Sequence, residues 1–154
     1  MSAQLDDLPR FRRMVADDLI VVEAIERAVY THPWTIGNFT DSLEAGYHCW
    51  IMERAGAVAG YSVVMVAAGE AQLLNLSIAA PLQRQGLGST LLRFVVRLAQ
   101  DYGAQTIHLE VRESNAAGRA LYAQHGFAEI GLRRNYYPAG TEREDAVTME
   151  KKLS

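Results

Sequence analysis

The sequence has a single cysteine, Cys49, which excludes an intrachain disulfide, and its four histidines are scattered without a recurring metal-ligand spacing. No metal site is expected. Charge of one sign is also missing: Lys and Arg are mixed among Asp and Glu, the formal net charge is −3, and no broad cationic field exists for a phosphate backbone. Direct nucleic-acid binding is therefore not expected. The longest charge-free apolar-rich stretch, Ala55 to Gly69, is shorter than the ~18 residues of a membrane span and is interrupted by Gly60. The leading residues carry Asp6, Asp7, Arg10, Arg12 and Arg13 and lack the apolar core of a secretory signal. Together these absences predict a cytoplasmic protein with no membrane contact. With 49% apolar residues in 154, and no repeat, low-complexity tract or linker, residues 1–154 read as one domain.

The apolar spacing predicts α+β order. A first strand is expected over Phe11 to Val15, and a helix carrying Leu19, Val22, Ile25 and Val29 follows, with Asp17 and Asp18 at its start. His32-Pro33 stops that helix, and Thr35 can cap a second one reaching about Ala45. Three strands come next: Cys49 to Arg54, Val58 to Ala67 and Leu73 to Ala79. Gly86 to Tyr102 forms a helix with Leu87, Leu91, Val95 and Leu98 on one face, ending at Gly103. Thr106 to Arg112 alternates strictly, so Ile107, Leu109 and Val111 face one side while His108 and Glu110 face the other. Ser114 can cap a helix over Asn115 to Gln124, and Phe127 to Tyr137 and Ala146 to Lys151 supply two last strands. One central βαβ crossover results.

The most informative stretch runs from Leu73 to Ser89, where a strand ends and a glycine-bearing turn opens the long helix. Gly86 and Gly88 clear the approach, the first amides of the helix point outward, and Arg84 adds a cation. A pyrophosphate suits such a turn, although two glycines also serve a merely tight connection. No Lys-Ser/Thr pair follows as a P-loop requires, and Leu91 stands where a dinucleotide fingerprint has its third glycine, which argues against ATP and NAD.

Gln83-Arg84-Gln85-Gly86-Leu87-Gly88 resembles the acetyl-CoA pyrophosphate loop, Gln/Arg-x-x-Gly-x-Gly/Ala, of the Gcn5-related N-acetyltransferases (GNAT). His32-Pro33-Trp34-Thr35, Leu109-Glu110-Val111-Arg112, Ser114-Asn115, Ala120-Leu121-Tyr122, Gly126-Phe127, Arg134-Asn135-Tyr136-Tyr137-Pro138 and Glu144-Asp145-Ala146 resemble its RimI-type subfamily, the ribosomal-protein alanine N-acetyltransferases. The likeness spans roughly residues 11 to 152. It implies an α/β GNAT fold, with a mixed, mostly antiparallel central sheet splayed between strands four and five and flanked by helices. It further implies pantetheine lodged between those two strands and direct acetyl transfer from acetyl-CoA without an acyl-enzyme. Matched by motif, Leu76, Ser77, Ile78, Arg84, Gln85, Gly86, Leu87, Gly88, Ser89 and Asn115 correspond to cofactor contacts, Glu110 to the general base and Tyr122 to the general acid. Ser89 departs from the pattern, since close relatives often carry a longer basic side chain there.

The residues themselves leave alternatives open. Amide formation from a thioester needs a proton acceptor for the amine and a donor for the departing thiolate. Glu110 and Tyr122 can supply them, but Glu110 can equally pair with a neighbouring arginine and Tyr122 can be an amphipathic core residue. Asn115 either contacts the ligand or satisfies its own backbone. His108 reads as a solvated strand histidine rather than a proton shuttle, and Cys49 as a small core residue rather than a nucleophile. Trp34, Tyr136 and Tyr137 are core residues or the walls of a peptide groove. Glu142, Glu144 and Asp145 form a solvated turn or face that groove, where they would favour a basic peptide. The expected function is transfer of acetyl to the N-terminal amine of a ribosomal protein. A lysine or small-molecule amine as acceptor, or a non-catalytic acetyl-CoA-binding module, are the alternatives, and the presence of both Glu110 and Tyr122 favours an enzyme. Oligomeric state is not legible.

Overall fold

The computed structural model of the protein describes residues 8–153; Asp6 and Asp7 lie outside them. Seven strands, β1 (Arg10–Arg13), β2 (His48–Arg54), β3 (Ala57–Ala67), β4 (Glu70–Ile78), β5 (Thr106–Arg112), β6 (Ala128–Ala139) and β7 (Glu142–Lys152), form one sheet in the order β1-β2-β3-β4-β5-β7-β6. Four helices are interspersed: α1 (Leu19–Val29), α2 (Ile36–Glu44), α3 (Leu87–Asp101) and α4 (Ala116–Gln124). The β1–β2, β2–β3, β5–β7 and β6–β7 pairs are antiparallel. β4 and β5, joined through α3, are parallel, with Glu70–Leu73 laddered against Thr106–Leu109. The mixed, mostly antiparallel sheet and its single crossover are as expected.

Element boundaries shift where local chemistry decides them. β1 ends at Arg13, and a 3₁₀ turn over Ala16–Asp18 precedes α1. Asp18 does not cap the helix with its side chain; its carboxylate takes Arg12 Nη1 and Nη2, each at 2.8 Å, and the Val15 N–H at 2.8 Å. Ala55-Gly56 and Ala68-Gly69 are both left-handed pairs, with φ of 54° and 78°, then 51° and 79°, the geometry of two-residue turns that match strand twist. The second turn lets β4 start at Glu70 rather than Leu73. Thr35 caps α2 as predicted, accepting from the Asn38 N–H.

The chain divides into two compact units, Met1–Val64 with Asn75–Leu92, and Met65–Leu74 with Arg93–Ser154. In the first, Val22, Phe39, Ile51, Met52, Ala59 and Tyr61 are fully buried. Gly60 is required there: a Cβ would lie 2.6 Å from the Ser77 carbonyl oxygen and 2.8 Å from Ile78 Cδ1, so β3 closes directly onto the end of β4. In the second unit β5 alternates as predicted, burying Ile107, Leu109 and Val111 on one face and leaving His108, Glu110 and Arg112 less completely covered on the other. Val95, Leu98 and Ala99 of α3 are buried while Arg93 and Arg97 are exposed. β6 is an exposed edge strand, and β7 buries Ala146, Val147 and Met149.

Candidate active site

In the first unit, β4 ends at Ile78 and a 3₁₀ turn, Ala80–Leu82, leads to the start of α3. Arg84 and Gly86 are left-handed, with φ of 64° and 81°. For an arginine this costs on the order of 1 kcal/mol, and such alternation turns successive N–H groups toward one side. The Thr90 N–H bonds to the Gly86 carbonyl at 3.2 Å. The amides of Leu87 and Gly88 come before that bond, in the first turn of the helix. Gln83 Nε2 donates to the Ile78 carbonyl at 3.0 Å and Arg54 Nη1 to Gln85 Oε1 at 2.9 Å, fixing the loop. Beneath it Met52, Ala59, Ile78, Leu87 and Leu91 form one apolar cluster, each large member contributing about 1.5–3 kcal/mol. Exposed Arg84, Gln85 and Gly86 thus rest on a rigid floor, and the outward amides, the helix dipole and Arg84 suit the diphosphate of acetyl-CoA.

The strand residues matched by motif offer little through their side chains. Ile78 is buried in that cluster and Leu76 packs against it. Ser77 is 2% exposed, its hydroxyl 2.7 Å from both the Tyr30 hydroxyl and Asn75 Oδ1. The side chains of Ser77 and Ile78 are thus turned inward, and the Leu76 carbonyl accepts from the Tyr30 hydroxyl at 3.2 Å. Ser77 belongs to a polar network that the sequence did not reveal. At its centre is Glu26, 1% exposed, whose Oε1 accepts from the Tyr61 hydroxyl at 2.7 Å and Asn75 Nδ2 at 3.2 Å, and whose Oε2 accepts from the Trp34 N–H at 3.0 Å. Burial, with the Glu26 charge, pushes the Tyr61 hydroxyl up, and burial holds Tyr30 up at about 12, so both stay neutral donors. A carboxylate on the inner face of α1 was the available signal, because such a residue needs partners. The network pins Trp34, whose half-buried ring packs tilted against Phe39 at 5.1 Å, which in turn meets Tyr61 at 5.7 Å.

In the second unit, Glu110 points from β5 with its side chain 9% exposed. Its Oε1 pairs with Arg133 Nε at 3.3 Å, and its Oε2 is buried without a hydrogen-bond partner. Tyr136 and Tyr137 stand beside it, their rings edge-on at 4.9 Å. Burial, then the charge of Glu110 and a hydrogen bond to it, raise the Tyr136 hydroxyl; burial and the same charge push Tyr137 up to about 12. Structure thus brings Glu110, Tyr136 and Tyr137 together. A bulge aims the tyrosines: opposite β7 the register slips between Arg133 and Tyr137, and Asn135 is left-handed with φ of 54°. Asp145 Oδ1 accepts from the Asn135 N–H at 2.8 Å, while Arg143 donates to the carbonyls of Asn135 and Tyr136 at 2.7 and 2.8 Å.

Two of the acids near the last turn are engaged within the fold. Asp145 holds the bulge, and Glu144 accepts from the Ser114 N–H at 2.7 Å and Arg112 Nη1 at 3.2 Å. Those bonds, the Ser114 ones foremost, draw the Glu144 carboxyl below its usual range. Arg112 is fixed further by the Pro138 carbonyl at 2.8 Å and the Tyr137 ring at 4.5 Å. Asn115, not Ser114, caps α4: its Oδ1 accepts from the Gly118 N–H at 2.9 Å, so the helix begins at Ala116. Tyr122 lies on α4, half-buried, with its ring 5.7 Å from Phe127. His108 is not merely solvated, since Nε2 lies 2.7 Å from Glu150 Oε2 across the β5–β7 ladder. Cys49 is 3% exposed with its thiol pushed up to about 11 by burial, the state of an inert core residue.

Among the described residues, no helix is long and apolar enough to cross a membrane, and no three His, Cys, Asp or Glu side chains are grouped to hold a metal. The sequence matches the profile of the acetyltransferase (GNAT) family over residues 17–127. It is 37% identical over 137 residues, 89% of this chain and 93% of the relative, to the ribosomal protein bS18-alanine N-acetyltransferase of Escherichia coli K12. The Haemophilus influenzae protein of the same name is 35% identical over 126 residues, 81% of this chain and 86% of that one. The crystal structure of the Escherichia coli ribosomal-protein-S18-alanine N-acetyltransferase superposes with a TM-score of 0.88 at 35% identity, covering 96% of this chain and 95% of the other.

Proposed function

The chain belongs to the acetyltransferase (GNAT) family, and from that premise we propose that it transfers acetyl from acetyl-CoA directly to the N-terminal amine of a protein. The acceptor is the N-terminal alanine of a small-subunit ribosomal protein, the substrate class for which its relatives are named. The site of action is the cytoplasm, and residues 1–154 act as a single N-acetyltransferase domain.

Acetyl-CoA supplies the thioester. Arg84, Gln85, Gly86, Leu87, Gly88 and Ser89 hold its diphosphate through main-chain amides and the Arg84 guanidinium, and the main chain of Leu76, Ser77 and Ile78 takes the pantetheine. Asn115 adds a contact through Nδ2, since Oδ1 is committed to the helix cap. The observation that carries the proposal is the buried, unpartnered Oε2 of Glu110 beside Tyr136 and Tyr137. An acceptor with an open lone pair at the acceptor groove is what a base requires. Glu110 takes a proton from the amine, the nitrogen attacks the thioester carbon, the carbon–nitrogen bond forms and the carbon–sulfur bond breaks. Tyr122 gives its proton to the leaving sulfur and is restored by solvent. Tyr136 and Tyr137 wall the peptide groove at Glu110, and Trp34 is a further acceptor-binding residue.

Intrinsic acidity favours this acceptor. An α-amine with pKa near 8 enters as a cation yet loses its proton at a cost under about 1 kcal/mol around pH 7.5, whereas lysine near 10.4 costs roughly 3 kcal/mol more to deprotonate. The test is competition among peptides beginning with Ala, Ser, Leu and N-blocked Ala that share an internal lysine, with the acetyl group located by mass spectrometry. Acetylation confined to free N-termini, fastest on alanine, is expected. Modification of the blocked peptide at lysine as fast as the free alanine peptide would overturn the assignment in favour of a lysine acetyltransferase.

A further inference from the structure

Two arginines face the Glu110 region, and they are held very differently. Arg112, with 25% of its side chain exposed, is fastened by the Pro138 carbonyl, Glu144 and the Tyr137 ring. Arg133 has 60% of its side chain exposed and pairs with Glu110 through Nε at 3.3 Å, with its guanidinium 5.4 Å from the Tyr136 ring centre. With most of its side chain in solvent, Arg133 can leave at little cost provided that another cation takes its place, because a buried carboxylate must stay compensated. The carboxylate it covers is itself nine-tenths buried and keeps its second oxygen unpartnered. Arg133 therefore sits where a substrate ammonium must arrive, making the same kinds of contact that ammonium would make: one to the carboxylate and one to an aromatic face.

We propose that Arg133 is a displaceable counter-ion, a specificity-determining residue that occupies Glu110 in the free protein and is exchanged for the cationic amine of the acceptor. The exchange keeps the site closed to neutral groups and to anions, and it sets the acceptor affinity by competition: an amine must replace a guanidinium, so only a positively charged N-terminus gains entry. No proton is moved in the exchange; the bound ammonium then releases one proton to solvent, and Glu110 takes the second as the amide forms. The inference rests on the acyl-transfer function proposed for the chain.

The experiment compares Arg133→Ala and Arg133→Lys with the parent in steady-state acetylation of an alanine-starting peptide at saturating acetyl-CoA. Arg133 is largely exposed, and unchanged thermal denaturation is expected of both variants. For Arg133→Ala the peptide KM is expected to fall roughly two- to five-fold without loss of kcat. Methylguanidinium should then inhibit it competitively at concentrations that leave the parent unaffected, by restoring the missing occupant. Arg133→Lys should keep the parental KM. An unchanged or higher KM in the alanine variant overturns the proposal, as does a fall in kcat, or an equal KM shift in the lysine variant. Should the parent acetylate no N-terminal peptide, the acyl-transfer function fails by itself, and displacement is read separately from the Arg133 Nε–H resonance during titration with alaninamide. A change in that resonance in the parent, absent in Glu110→Gln, supports the exchange; a constant resonance refutes it.

Discussion

At the scale of single residues, Tyr122 and Glu110 divide the proton traffic of the proposed reaction. Tyr122→Phe removes the donor to the departing sulfur while keeping the ring against Phe127. We expect transfer to slow by roughly 10²–10⁴-fold with the fold intact. A single-turnover rate equal to the parent across pH would make Tyr122 a packing residue. Glu110 was legible in the sequence because strict alternation of Thr106–Arg112 puts it on the polar face of β5, which is where the strand presents it. Ser77 illustrates the opposite case. Its motif match gave a position on the strand but not a direction, and its hydroxyl turned out to bond inward to Tyr30 and Asn75. Those partners lie 47 and 2 residues away in the chain, and only the first is a tertiary contact that no local pattern could show.

At the scale of elements, the β6 bulge and the β3–β4 contact each position part of the site. Asp145→Ala leaves the Asn135 amide without its carboxylate, so the bulge that aims Tyr136 loosens. A stability loss of about 1 kcal/mol and a several-fold rise in peptide KM are expected, with acetyl-CoA affinity unchanged, as read by denaturation, kinetics and calorimetry. Gly60→Ala should do the reverse. A methyl group 2.6 Å from the Ser77 carbonyl must push the end of β4, costing about 1–3 kcal/mol and weakening acetyl-CoA binding measured by calorimetry. Helices and strands were legible here because apolar period and turn residues agree. The bulge was not, since Arg134-Asn135-Tyr136 has the composition of an ordinary strand and its kink depends on side chains of β7. The acids of that strand looked like a solvated turn or a groove wall for the same reason: their partners, Ser114, Arg112 and Asn135, are distant in sequence.

At the scale of the whole molecule, among the described residues two acids, one in each unit, have carboxyls drawn below their usual range: Asp18, chiefly by its bonds to Arg12, and Glu144, chiefly by those to Ser114. The unfolded chain binds protons more readily at both, so their stabilisation is complete above the ordinary carboxylate pKa of about 4 and is lost as pH falls through the lower folded values. The denaturation temperature should hold steady from pH 7 to 5 and drop below about 4, less steeply in Glu144→Gln. A flat profile through pH 3 would contradict that. The proposed reaction also assigns separate tasks to the two units, with diphosphate binding at the Arg84–Ser89 loop and proton removal at Glu110. The most direct test is the single-turnover rate of Glu110→Gln with acetyl-CoA saturating and an alanine-starting peptide as acceptor. Glutamine keeps the size of the side chain and cannot take the amine's proton. The account predicts a rate lower by roughly 10²–10⁴-fold while acetyl-CoA still binds at the parental concentration. Transfer at the parental rate would contradict it.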